Sequence, residues 1–343
     1  MLVQPLPATY TPAPSEARAM KITILSRSAS IPSTRRLVEA ARARSHRVRV
    51  LNPTRVEMHL GGKSANLYYR RKKVVPGDVV LPRIAQSINT YGLSVLSQFQ
   101  MRGVPALNSA VAIAQSRNKM RTLQLLSTNG IDIPATVMAR EAADLKAMVD
   151  LVGGVPVLVK LLAGQERRGV MVCESLQSLE AALEAILGLG HNIIVQEYVK
   201  KSGLDVRVFV VGGEAVAAVR RRPRPGKLSQ TLNRGARLER IQLTERQRKA
   251  AVQSARLIGL EVCAVDLLDV KGRPKVYEVN SSPALPEMEA ATGVDLAGLI
   301  VRRAEALVEE SRPVTPGPGA ARVEGRGASP RQTPAARSRS TPP

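Results

Sequence analysis

The sequence predicts an α/β domain over residues 20–110, followed by two α+β lobes over residues 111–190 and 191–311. Three observations predict it. From Met20 the apolar run KITILS opens a strand–helix–strand order, the order of a parallel sheet. Beyond Pro134, apolar strands follow one another through short connections, as antiparallel sheets do. The stretch AVDLLDVKGRPKVYEVN then reads as a hairpin about Gly272. Residues 1–19 and 312–343 carry Pro, Ala, Thr, Ser and Arg without a periodic pattern, and are expected to be a disordered extension and a disordered basic tail.

In the first domain, STRRLVEAARARSH spaces Leu37, Ala40 and Ala41 for a helix, and VRVLNP follows as a second strand. DVVLPRI is another strand, INTYGLSVLSQFQMRG a helix closed by Gly103, and VPALNS a short strand near residue 105. The next helix starts at an N-cap, Asn108 or Ser109, and runs to Gly130. ATVMA, VPVLVKLL and VMVCE then read as strands, with helices at AADLKAMVDLVG and SLQSLEAALEAILGLG. The last lobe has strands NIIVQEYV, LDVRVFVVGG and EAVAAVRRR, a basic loop, the helix TERQRKAAVQSARLIGL, the hairpin and a closing helix.

Among 343 residues, 51 Lys and Arg face 28 Asp and Glu, for a net charge of +23. Six Arg against one Glu give the tail +5, so +18 remains before it. Such charge attracts polyanions but by itself names no partner. With 44% hydrophobic residues the chain is expected to be soluble and globular. It has no apolar run of membrane-spanning length, and MLVQPLPATYTPAPSEAR has no secretory-signal pattern, so a cytoplasmic location is expected. Cys173 and Cys263 sit apart in apolar segments and read as buried thiols.

The hairpin carries the chemistry. With its turn centred on Gly272, Asp266 falls opposite Glu278, and Val276, Glu278 and Asn280 share a face, with Lys275, Tyr277 and Val279 on the other. Facing carboxylates repel unless a cation lies between them. Two carboxylates and a carboxamide are hard oxygen donors, which suit Mg²⁺ or Mn²⁺. Lys160 ends an apolar strand and would meet a nucleotide phosphate there, though alone it also describes a surface lysine. Glu197 ends another such strand, where adenine and ribose could be received. Asp205 and Arg207 share a strand face, which an ordinary ion pair also explains.

Taken together, these segments resemble the ATP-grasp superfamily and, within it, the RimK-type ligases that add glutamate to the C-terminus of a small-subunit ribosomal protein. The resemblance runs through MKITILSR, LPRI, TYG, LNSAVAIAQSRNKMRTLQLL, GIDIP, IVQEYV, DVRVFVVGGEAVAA, YEVNSSP and TGVDLAG, from Met20 to about Glu310. It implies an ATP-grasp fold in which an N-terminal pre-ATP-grasp domain precedes two lobes that clamp ATP. On that resemblance Lys119 and Lys160 hold nucleotide phosphates, Glu197 and Tyr198 receive adenine, and Asp205 contacts the nucleotide. Arg207 and Arg234 lie near the transferred phosphate, and Asp266, Glu278 and Asn280 bind the metal, with two ions implied. The implied partners are ATP, glutamate, an acceptor C-terminus and further copies of the chain. RNA or an acidic peptide would meet the basic segment RRRPRPGK or the tail.

Two loops depart from the family pattern. The glycine-rich cover after Lys160 here carries Glu166, Arg167 and Arg168 between Gly164 and Gly169. Where an Arg-Ser-Asn triplet contacts phosphates and metal, this chain has Ser229, Gln230 and Thr231, which would lose or weaken those contacts, with Thr231 kept as one nucleotide contact. A different acceptor, such as an amino-group carrier protein, a peptide or a metabolite, and a nucleotide-binding role without ligase activity, are the alternatives these departures keep open.

Overall fold

The computed structural model describes residues 18–61, 64–139, 144–161, 170–187, 193–199, 205–222 and 236–312. The chain forms one compact unit to Ser311. Strand β1 (Lys21–Leu25) leads through helix α1 (Pro32–Ala43) to β2 (Arg47–Leu51). An antiparallel trio follows, β3 (Val56–Gly61), β4 (Ser64–Tyr69) and β5 (Lys72–Lys73), in a stretch the periodicity leaves unassigned. Strand β6 (Val79–Pro82) then completes a parallel sheet in the order β2-β1-β6, ahead of helix α2 (Asn89–Met101). The strand expected at VPALNS is reduced to one parallel bridge between Val80 and Ala106.

The single helix expected from Asn108 to Gly130 is two. Ser109 caps α3 (Ala110–Arg117) by accepting from the Ala112 N–H, and Asn118 caps α4 (Lys119–Thr128) by accepting from the Arg121 N–H. Asn118 has extended backbone angles, φ −83° and ψ 96°, and its short amide competes for the helix hydrogen bonds, so the helix breaks there. Asn108 caps nothing. Buried, it donates to the Val262 and Ser281 carbonyls and accepts from the Glu261 and Val262 N–H groups, tying the first domain to both ends of the hairpin. Asn108→Ala would orphan those buried backbone groups, at a cost of about 3 kcal/mol read as a lower urea midpoint.

The central lobe holds β7 (Thr136–Ala139), α5 (Leu145–Asp150), β8 (Val157–Leu161), β9 (Val170–Cys173), α6 (Leu176–Leu187) and β10 (Ile193–Glu197). Its antiparallel sheet has the order β7-β10-β8-β9, so the strand in NIIVQEYV, expected to open the last lobe, belongs to this one, because it pairs with β7 on one side and β8 on the other. Next come β11 (Asp205–Val211), β12 (Glu214–Arg222), β13 (Arg237–Arg240), α7 (Glu245–Ile258), β14 (Val262–Val270) and β15 (Arg273–Asn280). Helices α8 (Pro286–Thr292) and α9 (Leu296–Glu310) follow them. The antiparallel order is β13-β12-β11-β14-β15.

Alternation along β11 explains how this sheet is used. Val206, Val208 and Val210 join the core beneath α7, whose Ala250, Ala251, Ala255 and Ile258 cover them. On the other face, Phe209 and Val211 are buried with Ile300 and Val301 of α9, while Asp205 and Arg207 extend the same face beyond that cover. One half of the face is core and the other is a charged surface. Both cysteines are buried and unbridged, and no helix among the described residues is long and apolar enough to cross a membrane.

Candidate active site

Asp266 and Glu278 do face each other, but by a route the sequence hides. Lys271 and Gly272, at φ 50° and 76°, form a two-residue turn that sets Val270 opposite Arg273. That register alone would pair Asp266 with Tyr277. A bulge between Asp266 and Leu267 absorbs Tyr277 and moves Glu278 opposite Asp266. The alternation is thereby broken. Val276 and Val279 both point into the core under α7, and Lys275 and Tyr277 lie with Glu278 on the charged face, which corrects the expected split of these side chains.

Asp266 is almost fully buried. Arg207 donates to both its oxygens at 2.7 Å, and Arg221 lies 3.2 Å away. Arg221, also buried, donates to Asp205 Oδ1 at 2.6 Å and to the Tyr277 hydroxyl at 2.6 Å, and that hydroxyl donates to Asp205 at 3.0 Å. Burial lowers both guanidinium pKa values, yet the adjacent carboxylates outweigh it and the net shift is upward, so both stay charged. Burial, reinforced by Asp266, holds the Tyr277 hydroxyl protonated well above the ordinary range.

Two guanidiniums thus balance two aspartates. Glu278 is left over: it is partly exposed and, among the described residues, has no hydrogen bond or ion pair. Asn280, opposite Ala264, shares its face and accepts from the Ser282 N–H through Oδ1. A carboxylate beside a second carboxylate and an amide oxygen is a donor set that fits a hard divalent cation. The residues present therefore fit Mg²⁺ or Mn²⁺, with Glu278 as the ligand that gives up no existing bond.

Lys160 donates to Gln196 Oε1 at 2.5 Å, and its ammonium lies 5.9 Å from the Tyr277 ring centre, so it stands at the edge of the charged face. Glu197 ends β10 with its carboxylate accepting from Lys275 Nζ at 2.9 and 2.6 Å and from the Ala135 N–H. These contacts join the two lobes. Tyr198 follows at the end of β10, half-buried. Lys119 is exposed at the first turn of α4, and no described hydrogen bond or ion pair links it to the others. Thr231 and Arg234 lie outside the described residues, as do Ser229, Gln230 and the segment Glu166–Arg168.

Arg221 is a side chain of this face that the sequence reading missed, because its arginines, though placed at the end of the strand EAVAAVRRR, also read as part of the exposed basic segment RRRPRPGK. Its first part is strand: Arg222 pairs with Glu239 at the edge, whereas Arg221 turns inward. The signal lay in pairing, since a hairpin about Gly212 and Gly213 brings Asp205 level with these arginines.

This fold, with a charged sheet face meeting a second lobe, defines an ATP-grasp protein. The ATP-grasp ligase PsnB in complex with a minimal precursor aligns at a TM-score of 0.68 and 22% identity over 85% of this chain and 99% of that one. The RimK domain ATP-grasp protein from Sphaerobacter thermophilus aligns at 0.64 and 20% over 82% and 98%. Residues 20–113 match the RimK pre-ATP-grasp domain and residues 116–304 the RimK-like ATP-grasp domain. The chain belongs to the RimK-like ATP-grasp family, and is an ATP-dependent, ADP-forming ligase of C–N bonds. A protein of Pseudomonas paraeruginosa described as a probable alpha-L-glutamate ligase is 43% identical over 90% of this chain and all of its own length. One of Thioalkalivibrio sulfidiphilus with the same description is 45% identical over 88% and all of its length.

Proposed function

We propose that this ligase adds L-glutamate to the C-terminus of a small-subunit ribosomal protein in the cytoplasm. Glu278 carries the reading: a carboxylate with no described hydrogen bond or ion pair, beside Asp266 and Asn280, on a face where the described ion pairs join Arg207 to Asp266 and Arg221 to Asp205. Relatives of 43% to 45% identity described as probable alpha-L-glutamate ligases support the amino acid.

In the reaction, the acceptor carboxylate attacks the γ-phosphorus of ATP, the bond to the bridging oxygen breaks, and ADP leaves. The amine of glutamate then adds to the acyl carbon, phosphate departs with the bonding electrons, and the amine proton is lost. A divalent cation, two in this proposal, when bound neutralises charge on the phosphates. Asp266, Glu278 and Asn280 hold it. Lys160, with Lys119 and Thr231, steadies the nucleotide phosphates, while Arg207 and Arg234 stabilise charge developing on the transferred group. Glu197 and Tyr198 receive adenine. Asp205, expected to contact the nucleotide itself, is buried against Arg221 and Tyr277, and in this proposal it acts by holding those two side chains. The altered segments Glu166–Arg168 and Ser229–Thr231 favour, as the second reading, a ligase of this type acting on another peptide or protein acceptor.

Continued ADP release over many turnovers is expected to require glutamate and acceptor together, since the acylphosphate must be consumed before the next cycle. Glu278→Gln should cut it by about 100-fold or more. Its melting temperature should stay unchanged, since Glu278 has no described bond to lose. Wild-type turnover in that variant would remove Glu278 from the site.

A further inference from the structure

Arg83 follows β6 at the carboxyl end of the parallel sheet, the edge where open α/β sheets take ligands. Its backbone is fixed from three sides. The Arg83 N–H donates to the Leu25 carbonyl at 2.8 Å. The next carbonyl, that of Ile84, accepts from Arg117, which also donates to Asn89. The Ile84 side chain lies so close to Gly92 of α2 that a Cβ there would come within 2.6 Å of it. The backbone from Arg83 to Ile84 therefore has little freedom left to lose on binding.

The side chain is far less committed. Its guanidinium donates at 2.8 Å to the Pro283 carbonyl, and among the described residues no other acceptor and no carboxylate engages its remaining N–H groups. Burial pushes its pKa down to about 10, the mark of a cation short of a counter-charge. Among the described residues neighbouring Arg117 likewise bonds neutral oxygens alone, so this corner carries two guanidiniums and no described acid. Beside Pro283, the Ser282 hydroxyl is buried and, among the described residues, has no hydrogen-bond partner. Both residues belong to the turn that begins at Asn280, whose amide oxygen accepts from the Ser282 N–H. An anion here would lie next to the proposed metal ligands.

We infer that Arg83, with the Ser282 hydroxyl, is the subsite that grips a carboxylate of the incoming amino acid. The guanidinium fork matches a carboxylate in two parallel hydrogen bonds. The inference rests on the ligase reading, in which the acceptor carboxylate is consumed while those of glutamate stay intact through the reaction. A group that only holds suits the latter.

The test compares full-length wild type with Arg83→Met, Arg83→Lys and Ser282→Ala. In ADP-release assays Arg83→Met should raise the glutamate KM about 10- to 100-fold, the range for a lost charge-assisted hydrogen bond, with the ATP KM unchanged. Arg83→Lys should recover part of that loss. Ser282→Ala removes a hydroxyl with no hydrogen-bond partner among the described residues, so it should keep the melting temperature and still raise the glutamate KM severalfold, even where the arginine variants fold poorly. Calorimetric titration with L-glutamate and with glutarate reads the same subsite without turnover. Should wild type ligate nothing yet bind these dicarboxylates, with the heat lost in Arg83→Met and weakened in Ser282→Ala, the ligase reading fails and the subsite stands. Unchanged glutamate KM and binding, a rise in the acceptor KM alone, or no dicarboxylate binding by a wild type that does not turn over would each overturn the inference.

Discussion

Asp266→Asn is expected to abolish turnover and to destabilise the fold together. In the wild type both Asp266 oxygens accept from Arg207, and Arg221 stands 3.2 Å away. An asparagine has one oxygen and turns its amide hydrogens toward a guanidinium, so Arg207 loses its fork and the face loses one of its two balancing negative charges. Removing one partner of a buried pair costs about 3 to 5 kcal/mol, because the remaining charge stays out of water without compensation. With Asp266 as one of the proposed metal ligands, its loss should cost several kcal/mol of barrier besides, about 10³-fold in rate. Chemical denaturation and ADP release, run on the same preparation, check both. A variant of wild-type stability would mean that Arg207 finds another acceptor, and one of wild-type turnover would take Asp266 out of the reaction.

Arg221→Leu should destabilise by a comparable amount, about 3 to 5 kcal/mol, through different groups. Buried Asp205 would keep only the Tyr277 hydroxyl among the partners described for it here, and Asp266 would keep Arg207. Arg221→Lys retains the charge but cannot span Asp205 and Tyr277 as the planar fork does, so it should recover stability in part. Turnover should fall further than the folded fraction explains, since Tyr277, whose ring centre lies 5.9 Å from the Lys160 ammonium, loses one of the bonds that orient its hydroxyl. Full stability in Arg221→Leu would show that Asp205 is not held as a buried ion.

The strands with continuous apolar runs were legible in the sequence, because burial on both faces leaves a signal that one window of residues contains. So were the facing acids, although two departures from the simple picture cancelled. A turn centred on Gly272 gives the right partner for Asp266 only because the bulge at Tyr277 makes up the residue by which the actual turn differs. Bulges are set by packing on both faces, here Val276 and Val279 inward and Tyr277 outward, and no short stretch of sequence declares that. Arg221 was hidden for a related reason, since a run of three arginines masks the alternation that buries the middle one. Strands β3 to β5 mix exposed and buried positions without a clean period of two, so they were invisible to periodicity. Asn118 shows the limit for helices: the apolar pattern continues across it while a single amide ends one helix and caps the next.

Intact-mass spectrometry of small-subunit ribosomal proteins incubated with the full-length chain, Mg-ATP and glutamate tests the central claim most directly. The account predicts mass increments of whole glutamate residues on one of those proteins, dependent on ATP and absent with Asp266→Asn. ADP release without any increment on a ribosomal protein would contradict the acceptor, and increments that persist in Asp266→Asn would contradict the site.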